Sequence, residues 1–489
     1  MISDLSLLTI NEVQKQLSGG LLTPTDLLNF YLKRVEKYDP QLQAFITPTP
    51  TLAKQWVEKL ENKIRNKTQL GKLAGLPLAV KDIFLTEGVQ STAGSQILKG
   101  FIPPYSSTVY QRLIDEDAIL VGKTNTDPFA FGASTENSGY FPTKNPWDKT
   151  RIPGGSSGGS AAAIAGGLAH VALGTDTGGS IRQPASMCGV SGIKPTYGRN
   201  SRYGITAMAS SFDCPGALAR HVSDLALVTE IMAGADPCDA TSSTNPVPQY
   251  SQLLNSVNLL GLKIGIPKEY FSEGIDLEVK TQVMAAAELF QKQGAILMDI
   301  SLPSTSLGID VYYTLVPCEI SANMARYDGV RFGQTAQNTT SLIDTYFKTR
   351  GQFLEPELKR RILIGTYALS SGYYDAYYIK ASQIRTLIKQ EFENALRSVD
   401  IILAPVSPTT AWPLGEKVND PLAMYLADVN TVCVNVAGLP ALALPCGFDS
   451  KSLPIGFQII GNYFQEANLF SVGHQFQQLT DYHLQLPPL

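Results

Sequence analysis

Short apolar runs that alternate with helical patterns constrain the fold of this chain more than any other feature. The runs have the length of buried strands, and segments with helical spacing, such as 221–234 and 277–293, separate them. The clearest runs are LPLAV at 76–80, AILVG at 118–122, LKIGI at 262–266, DIILAP at 400–405 and IGFQII at 455–460. This alternation predicts an α/β fold with a mixed central sheet surrounded by helices.

The pattern predicts a single large domain with a helical insertion. No internal repeat interrupts it, and the insertion stands out because it is rich in tyrosine and helical in period. The expected segments are an N-terminal helical segment (1–70), a core segment (71–302), the insertion (303–400) and the C-terminal part of the sheet (401–489).

Composition narrows the class of protein. The 489 residues are 44% hydrophobic and 17% charged with a net charge of −4, which gives no general electrostatic basis for gripping nucleic acid. The six cysteines lie far apart without a C-x-x-C pair, which is typical of free thiols in a protein from a reducing compartment. No signal peptide or apolar run of about 20 residues is recognisable. We therefore expect a cytoplasmic protein that does not enter a membrane.

The stretch PGGSSGGSAAAIAGG at 153–167 allows three interpretations. A flexible linker would be bordered by polar sequence, but here a small apolar segment follows. A phosphate-binding loop needs a lysine directly after its glycines, and Lys194 is too far along. A serine-hydrolase elbow, G-x-S-x-G, needs a strand immediately before it, whereas NPWDKTRIP reads as a loop. The chain also has only four histidines, none in a segment rich in catalytic residue types.

A second glycine-serine block, GTDTGGSIRQPAS from Gly174, supplies what the first lacks. Gly178 and Gly179 let the backbone turn tightly and aim consecutive N–H groups at one point, as an oxyanion requires. Ser180 ends that row in the position of a nucleophile. From this block alone, a tight turn with an exposed serine is an equally good interpretation.

A serine nucleophile without histidine can use a neutral lysine as its base. Lys81 ends the apolar run LPLAVK, where burial would lower its pKa. Lys123 and Lys194 are alternatives, and a structural ion pair between Lys81 and Asp82 is the simpler interpretation of the same residues.

The combination of GLPLAVKD, GGSSGGSAAA and GTDTGGSIRQPASMCGVSGIKPTYGR resembles the amidase signature family in order and spacing. The resemblance implies that Ser180 is the acylated nucleophile, Ser156 the bridging serine after a cis peptide bond, and Lys81 the base. It also implies an oxyanion hole from the N–H groups of Thr177, Gly178, Gly179 and Ser180. Ser157 and Ser160 would be supporting hydrogen-bonding groups.

Within this family, GKTNTDPFAFGASTENSGYFPTKNPWD, ARYDGVRFG and LKRRILIGTYALSSGYYDAYY resemble the A subunits of glutamyl-tRNA(Gln) amidotransferases. That resemblance implies hydrolysis of glutamine and transfer of ammonia to partner subunits, B and C, in a heterotrimer. The same resemblance implies that the complex acts on Glu-tRNA(Gln). ATP and Mg²⁺ would belong to the partner, so this chain needs no metal or organic cofactor.

The resemblance also implies the residues that bind glutamine. Arg360 would receive the α-carboxylate and Asp428 the α-ammonium, although a solvated basic run and a helix cap are the simpler interpretations of these two residues. KDIF after Lys81 and SSFDCPGALAR at 210–220 depart from the usual pattern, with Cys214, Pro215 and Ala217 unusual. The second departure would affect the shape of the pocket or the route of ammonia.

Two other functions remain open. One is a stand-alone amidase that acts on another carboxamide. The other is a non-catalytic scaffold subunit, against which the presence of all three triad residues argues.

Overall fold

The computed structural model of the protein describes residues 4–272 and 274–489. The strands of this part of the chain are β1 Phe45–Pro48, β2 Pro77–Lys81, β3 Ile119–Thr124, β4 Val171–Thr175, β5 Ser191–Lys194, β6 Pro215–Ala219, β7 Lys263–Pro267, β8 Ile296–Ile300, β9 Ile401–Pro405, β10 Ala441–Phe448 and β11 Pro454–Ile460. The α-helices are α1 Ile10–Ser18, α2 Pro24–Leu42, α3 Pro50–Arg65, α4 Thr108–Asp115, α5 Gly158–Ala165, α6 Arg182–Cys188, α7 Val222–Met232, α8 Leu277–Lys292, α9 Gly308–Asn323, α10 Leu342–Phe353, α11 Pro356–Ala368, α12 Lys380–Ala395, α13 Pro421–Leu426, α14 Val432–Ala437 and α15 Glu466–Leu479.

All these strands join in one mixed sheet, in the order β1-β3-β2-β4-β6-β5-β10-β11-β9-β7-β8. Parallel pairs form where β2 lies between β3 and β4, and where β7 lies between β8 and β9. The other pairs are antiparallel. The predicted α/β class is confirmed, and the five apolar runs correspond to β2, β3, β7, β9 and β11.

The centre of the sheet is covered by two short helices, of which α5 consists almost entirely of glycine, serine and alanine. Every residue of α5 and α6 is buried, and so is every residue of β2, β4, β5 and β6. Close approach explains this composition. A Cβ on Gly192 would lie 2.8 Å from the side chain of Ile181, at the start of α6. The segment after the first glycine-serine block is therefore core rather than linker.

The connections place the functional segments at one edge of the sheet. β2 ends at Lys81 and its parallel neighbour β4 ends at Thr175, so both strands end at the same edge. In open α/β sheets, sites lie outside the carboxyl ends of such strands. The first glycine-serine block leads into α5, and the second joins β4 to α6.

Between β8 and β9 the described chain forms α9 to α12. The segment boundaries proposed from sequence remain predictions. None of the helices that the structure describes is both long and apolar enough to cross a bilayer.

Candidate active site

Lys81 is buried and lies among three hydroxyl groups. Its Nζ is 2.8 Å from Ser156 Oγ, 2.9 Å from Ser157 Oγ and 2.9 Å from Thr175 Oγ1, and the residue has no exposed surface. Burial lowers the pKa of Lys81 to about 7, against the opposing effect of nearby carboxylates. The structure thus brings an amine that is partly deprotonated at neutral pH within hydrogen-bond distance of a serine.

The competing bases have other partners. Lys123 donates to the Phe84 carbonyl and to Ser91 Oγ, both at 2.7 Å, and lies 3.3 Å from Asp82. Lys194 donates to the carbonyls of Pro195 and Leu439. Asp82 is therefore the ion-pair partner of Lys123 rather than of Lys81, which removes the simpler interpretation of Lys81.

Ser156 lies two residues before α5, on a loop in which residues 152–157 are all buried. The peptide bond between Gly155 and Ser156 is cis, as the family resemblance implies. A Cβ on Gly155 would lie 2.5 Å from both Asp127 Oδ2 and the Ser134 nitrogen, so only glycine fits there. In the described part of the chain, a loop rather than a strand leads directly into these serines, which agrees with rejecting the hydrolase elbow.

The TGGS loop at 177–180 turns tightly at its second glycine. Gly179 has φ of +141°, and a Cβ there would collide with Thr431. Thr431 Oγ1 donates to the Gly178 carbonyl at 2.6 Å, which fixes that peptide group with its oxygen turned towards Thr431. Ser180 keeps 8% exposure, and within the described residues its hydroxyl makes no hydrogen bond to Ser156.

A buried ion pair holds the ends of this loop. Arg182 donates to both carboxylate oxygens of Asp176 at 3.0 Å and also to Gln458 and Asn435. Burial opposes ionisation of Asp176, but the Arg182 guanidinium outweighs it and lowers the pKa to about 2. This carboxylate therefore stays charged and rigidly placed beneath the loop.

Thr177 is anchored on the other side of the loop. Its Oγ1 donates to Asp213 Oδ1 at 2.8 Å, and Asp213 also accepts from the backbone of Met208 and Ala209. The unusual Cys214 is buried next to it and donates to the Pro195 carbonyl. The sequence departure at 214–217 thus lies directly behind the loop and outside the triad.

A cavity of about 430 Å³ opens beside α11, and Gly132, Asn137, Arg360, Arg361 and Tyr425 are among its lining residues. Asn137 donates to Asp127, the carboxylate that packs against Gly155. One wall of the cavity is therefore the loop that supports Ser156, and the opposite wall is α11.

The two arginines in this cavity differ in their surroundings. The Arg360 side chain is 43% exposed and pairs with Glu357. Arg361 is 3% exposed, donates to Glu357 Oε1 at 2.8 Å and packs against the rings of Tyr313 and Tyr425. Sequence reasoning singled out Arg360 and missed Arg361. Periodicity would have found Arg361, because it lies four residues after Glu357 on the same face of α11.

Asp428 is 8% exposed and follows α13. Its Oδ2 accepts a hydrogen bond from Tyr313 at 3.2 Å. Burial raises the pKa of Asp428 to about 7, while Tyr313 and Arg361 act in the opposite direction. Arg361 thus shares Tyr313 with Asp428 and acts on its charge, whereas Arg360 lies nearer the cavity mouth.

A scan of protein families matches the amidase model over residues 26–470. The chain belongs to the amidase family.

This amidase is 51% identical over 488 residues to the A subunit of a glutamyl-tRNA(Gln) amidotransferase of Chloroflexus aurantiacus, covering all of both chains. The corresponding protein of Microcystis aeruginosa is 51% identical over 479 residues, covering 98% of this chain and 99% of that one. Among solved structures, the amidase is similar to the A subunit of the glutamyl-tRNA(Gln) amidotransferase of Thermotoga maritima. The TM-score is 0.80 and the identity 37%, covering 96% of this chain and 94% of that one.

Within the described residues, the amidase has no group of three or more His, Cys, Asp or Glu side chains that could hold a metal ion. The prediction that this chain needs no metal remains a prediction.

Proposed function

We propose that this amidase is the glutamine-hydrolysing subunit of a glutamyl-tRNA(Gln) amidotransferase, with Lys81, Ser156 and Ser180 as its triad. The observation that carries the proposal is the buried Lys81 held by Ser156, Ser157 and Thr175. It occurs in a chain that is half identical, over its full length, to proteins of that name.

Acylation of Ser180 replaces the C–N bond of the amide with a C–O bond and carries the serine proton to the leaving nitrogen. Neutral Lys81 takes a proton from Ser156, which takes the proton of Ser180 as Ser180 Oγ attacks the side-chain carboxamide carbon of glutamine. The new O–C bond forms a tetrahedral oxyanion. The C–N bond then breaks, and the proton returns from Lys81 to the leaving nitrogen, which departs as ammonia. Water hydrolyses the glutamyl ester on Ser180 by the same relay and releases glutamate.

The oxyanion would be received by the N–H groups of Thr177, Gly178, Gly179 and Ser180. Such donors are most effective when they are fixed before the reaction, because no reorganisation is then needed as charge develops. The Asp176–Arg182 ion pair and the hydrogen bond from Thr431 Oγ1 to the Gly178 carbonyl supply that rigidity.

Binding of the zwitterionic end of glutamine requires a cation and an anion within a few ångströms of each other. Asp428 is the proposed receptor of the α-ammonium. Arg360 and Arg361 both line the cavity and are the proposed receptors of the α-carboxylate. Of the two, Arg361 has the geometry of the inner ligand, since it contacts the same tyrosine as Asp428.

The ammonia would pass to partner subunits, B and C, in a heterotrimer that converts Glu-tRNA(Gln) to Gln-tRNA(Gln). The partner would use ATP and Mg²⁺ to activate the glutamate, so that neutral ammonia can displace the activating group. We place the complex in the cytoplasm, where tRNA is used and where the free cysteines of this chain would stay reduced.

A glutaminase assay tests this proposal, with the purified chain alone and with coexpressed B and C subunits. We expect glutamine hydrolysis that ATP and Glu-tRNA(Gln) stimulate in the complex. An electrophilic glutamine analogue should label Ser180, and Ser180→Ala should abolish the label. Label on Ser156 would show that the two serines are reversed. Efficient hydrolysis of simple amides with no activity on glutamine would support the stand-alone amidase instead.

A further inference from the structure

Exposed apolar side chains are concentrated in one part of the helical segment. Of the 29 large apolar or aromatic side chains that are exposed in the described residues, 11 lie between residues 342 and 377. They include Phe347 at 76%, Leu363 at 69% and Ile343 at 68% exposure. Large contiguous apolar patches are rare on monomeric proteins and mark interaction surfaces.

Tyr346, Phe347 and Leu363 of this set line a groove between α10 and α11. The groove has a volume of about 410 Å³, with Phe347 and Leu363 in its walls. Tyr367 lies one turn beyond Leu363, and its ring is 4.3 Å from that of Tyr373. We call this groove, together with the rings of Tyr367 and Tyr373, the α10–α11 surface.

The charged side chains of the groove are both cations. Arg350 donates to the carbonyls of Met324 and Tyr327, and Lys359 donates to the Gly351 carbonyl. None of the described residues that line the groove carries a carboxylate. An occupant that supplies carboxylates would therefore be favoured.

This charge distribution distinguishes a partner from a second copy of the chain. In a two-fold dimer, the same patch faces itself, so a dimer centred on the groove would bring Arg350 and Lys359 close to their own copies. Like charges brought together in this way oppose association. An acidic, apolar segment of another protein meets the groove without that repulsion.

α11 connects this surface to the proposed glutamine cavity. Lys359 and Leu363 line the groove, whereas Glu357 and Arg361, on the opposite face of the same helix, line or support the cavity. A protein that covers the groove thus packs directly on the helix that carries the cavity arginines.

We propose that the α10–α11 surface is where a partner subunit of the amidotransferase docks, by inserting an apolar segment with carboxylates at its rim. This inference rests on the proposed function, because the partner is a subunit of that complex. Phe347 and Leu363 are the apolar anchors, and Lys359 contributes to the charge match.

To test this, the tagged chain is coexpressed with the B and C subunits of the same source, and the affinity of these subunits for the chain is measured. Phe347→Asp and Leu363→Asp should weaken binding at least tenfold, because buried anchors dominate interface energies. Lys359→Glu should weaken it more at low than at high salt. Leu21→Asp is the matched control, since Leu21 is 84% exposed far along the chain from this surface. Unchanged thermal unfolding shows that each variant folds.

The outcomes separate the two proposals. If the parent chain binds B and C but both aspartate variants bind equally well, the docking surface is wrong and the proposed function stands. If the parent chain does not bind B and C at all, both proposals fail. Light scattering on the chain alone tests whether a second copy of the chain occupies the groove. A dimer that Phe347→Asp dissociates would overturn docking of a partner in favour of self-association.

Discussion

At the scale of single residues, the site depends on how one amine is shared among three hydroxyls. A neutral amine has two N–H donors and one lone pair, whereas an ammonium has three donors. The three hydroxyls around Lys81 can accept all three hydrogen bonds of the ammonium that forms when Ser156 gives up its proton. Ser157 also donates its own proton to the Thr175 carbonyl at 3.2 Å, so it acts as an acceptor towards Lys81.

The first prediction concerns the base itself. The acylation rate should rise with pH through about 7 and level off above it, because Lys81 must lose its proton before it can act and burial lowers its pKa to that value. Lys81→Arg cannot deprotonate and should lose about 10²- to 10⁴-fold in kcat. Stopped-flow acylation across pH 5–9 measures both effects. Substantial activity in Lys81→Arg would exclude the base role.

The second prediction concerns Thr175 as a residue that positions Lys81. Thr175→Val removes one acceptor from the ammonium, which loses more hydrogen bonding than the neutral amine does. The pKa of Lys81 should fall further, so the acidic limb of the rate profile should move about one pH unit lower. Thr175→Ser keeps the hydroxyl and should restore the parent profile. A limb that stays in place in the valine variant would mean that Thr175 only fills space.

At the scale of elements, α11 presents two arginines in different environments. Arg361 is held by Glu357 beside the stacked rings of Tyr313 and Tyr425, whose centroids are 3.8 Å apart, while Arg360 is half exposed. The α-carboxylate and α-ammonium of glutamine share one carbon, so their receptors must lie close together. That requirement favours Arg361, which shares Tyr313 with Asp428.

The third prediction follows from this placement. Arg361→Ala should lower kcat/KM for glutamine about ten- to a hundredfold through loss of a charge-assisted hydrogen bond, and Arg360→Ala should lower it less. An amide without the α-carboxylate should be spared by both changes. The measurement is kcat/KM on matched substrates. A larger loss for Arg360→Ala would restore the arginine indicated by the sequence, and equal losses on every amide would mean that neither residue binds glutamine.

Elements also show where sequence reasoning reaches its limit. The five apolar strands were predictable because their large aliphatic side chains have the density of buried strands. β6, with the sequence PGALA, has only one large aliphatic side chain, yet all five residues are buried. Its residues are small because β5 and α6 lie close: a Cβ on Gly216 would lie 2.8 Å from Ile181 Cδ1. The residue types in such a strand are set by neighbours that are distant in sequence. Local sequence patterns therefore do not predict the strand.

At the scale of the whole molecule, the sheet brings together residues that lie 94 positions apart in sequence, Lys81 and Thr175. The glycine-serine blocks stand out in the sequence because a serine nucleophile beside an oxyanion hole requires those residue types. Burial alone does not distinguish Lys81 from Lys123 and Lys194, since all three are buried at or next to the end of a strand. Only the pairing of strands decides which of these amines meets Ser156.

The fourth prediction concerns the stability of the whole chain, because a buried lysine with a lowered pKa destabilises the fold. Its pKa falls from 10.5 to about 7 on folding, so between these values the unfolded state binds the extra proton. Unfolding therefore becomes more favourable as pH falls from 10 to 7, by about 1.4 kcal/mol per unit. Lys81→Met should remove this dependence. Relative to the parent, its unfolding temperature should be highest near pH 7 and the advantage should shrink as pH rises to 10. Differential scanning calorimetry of both proteins across this range measures the trend, with Lys268→Met, a substitution in a short surface helix, as control. A difference that stays constant with pH would mean that Lys81 is charged in the folded protein and cannot be the base at neutral pH.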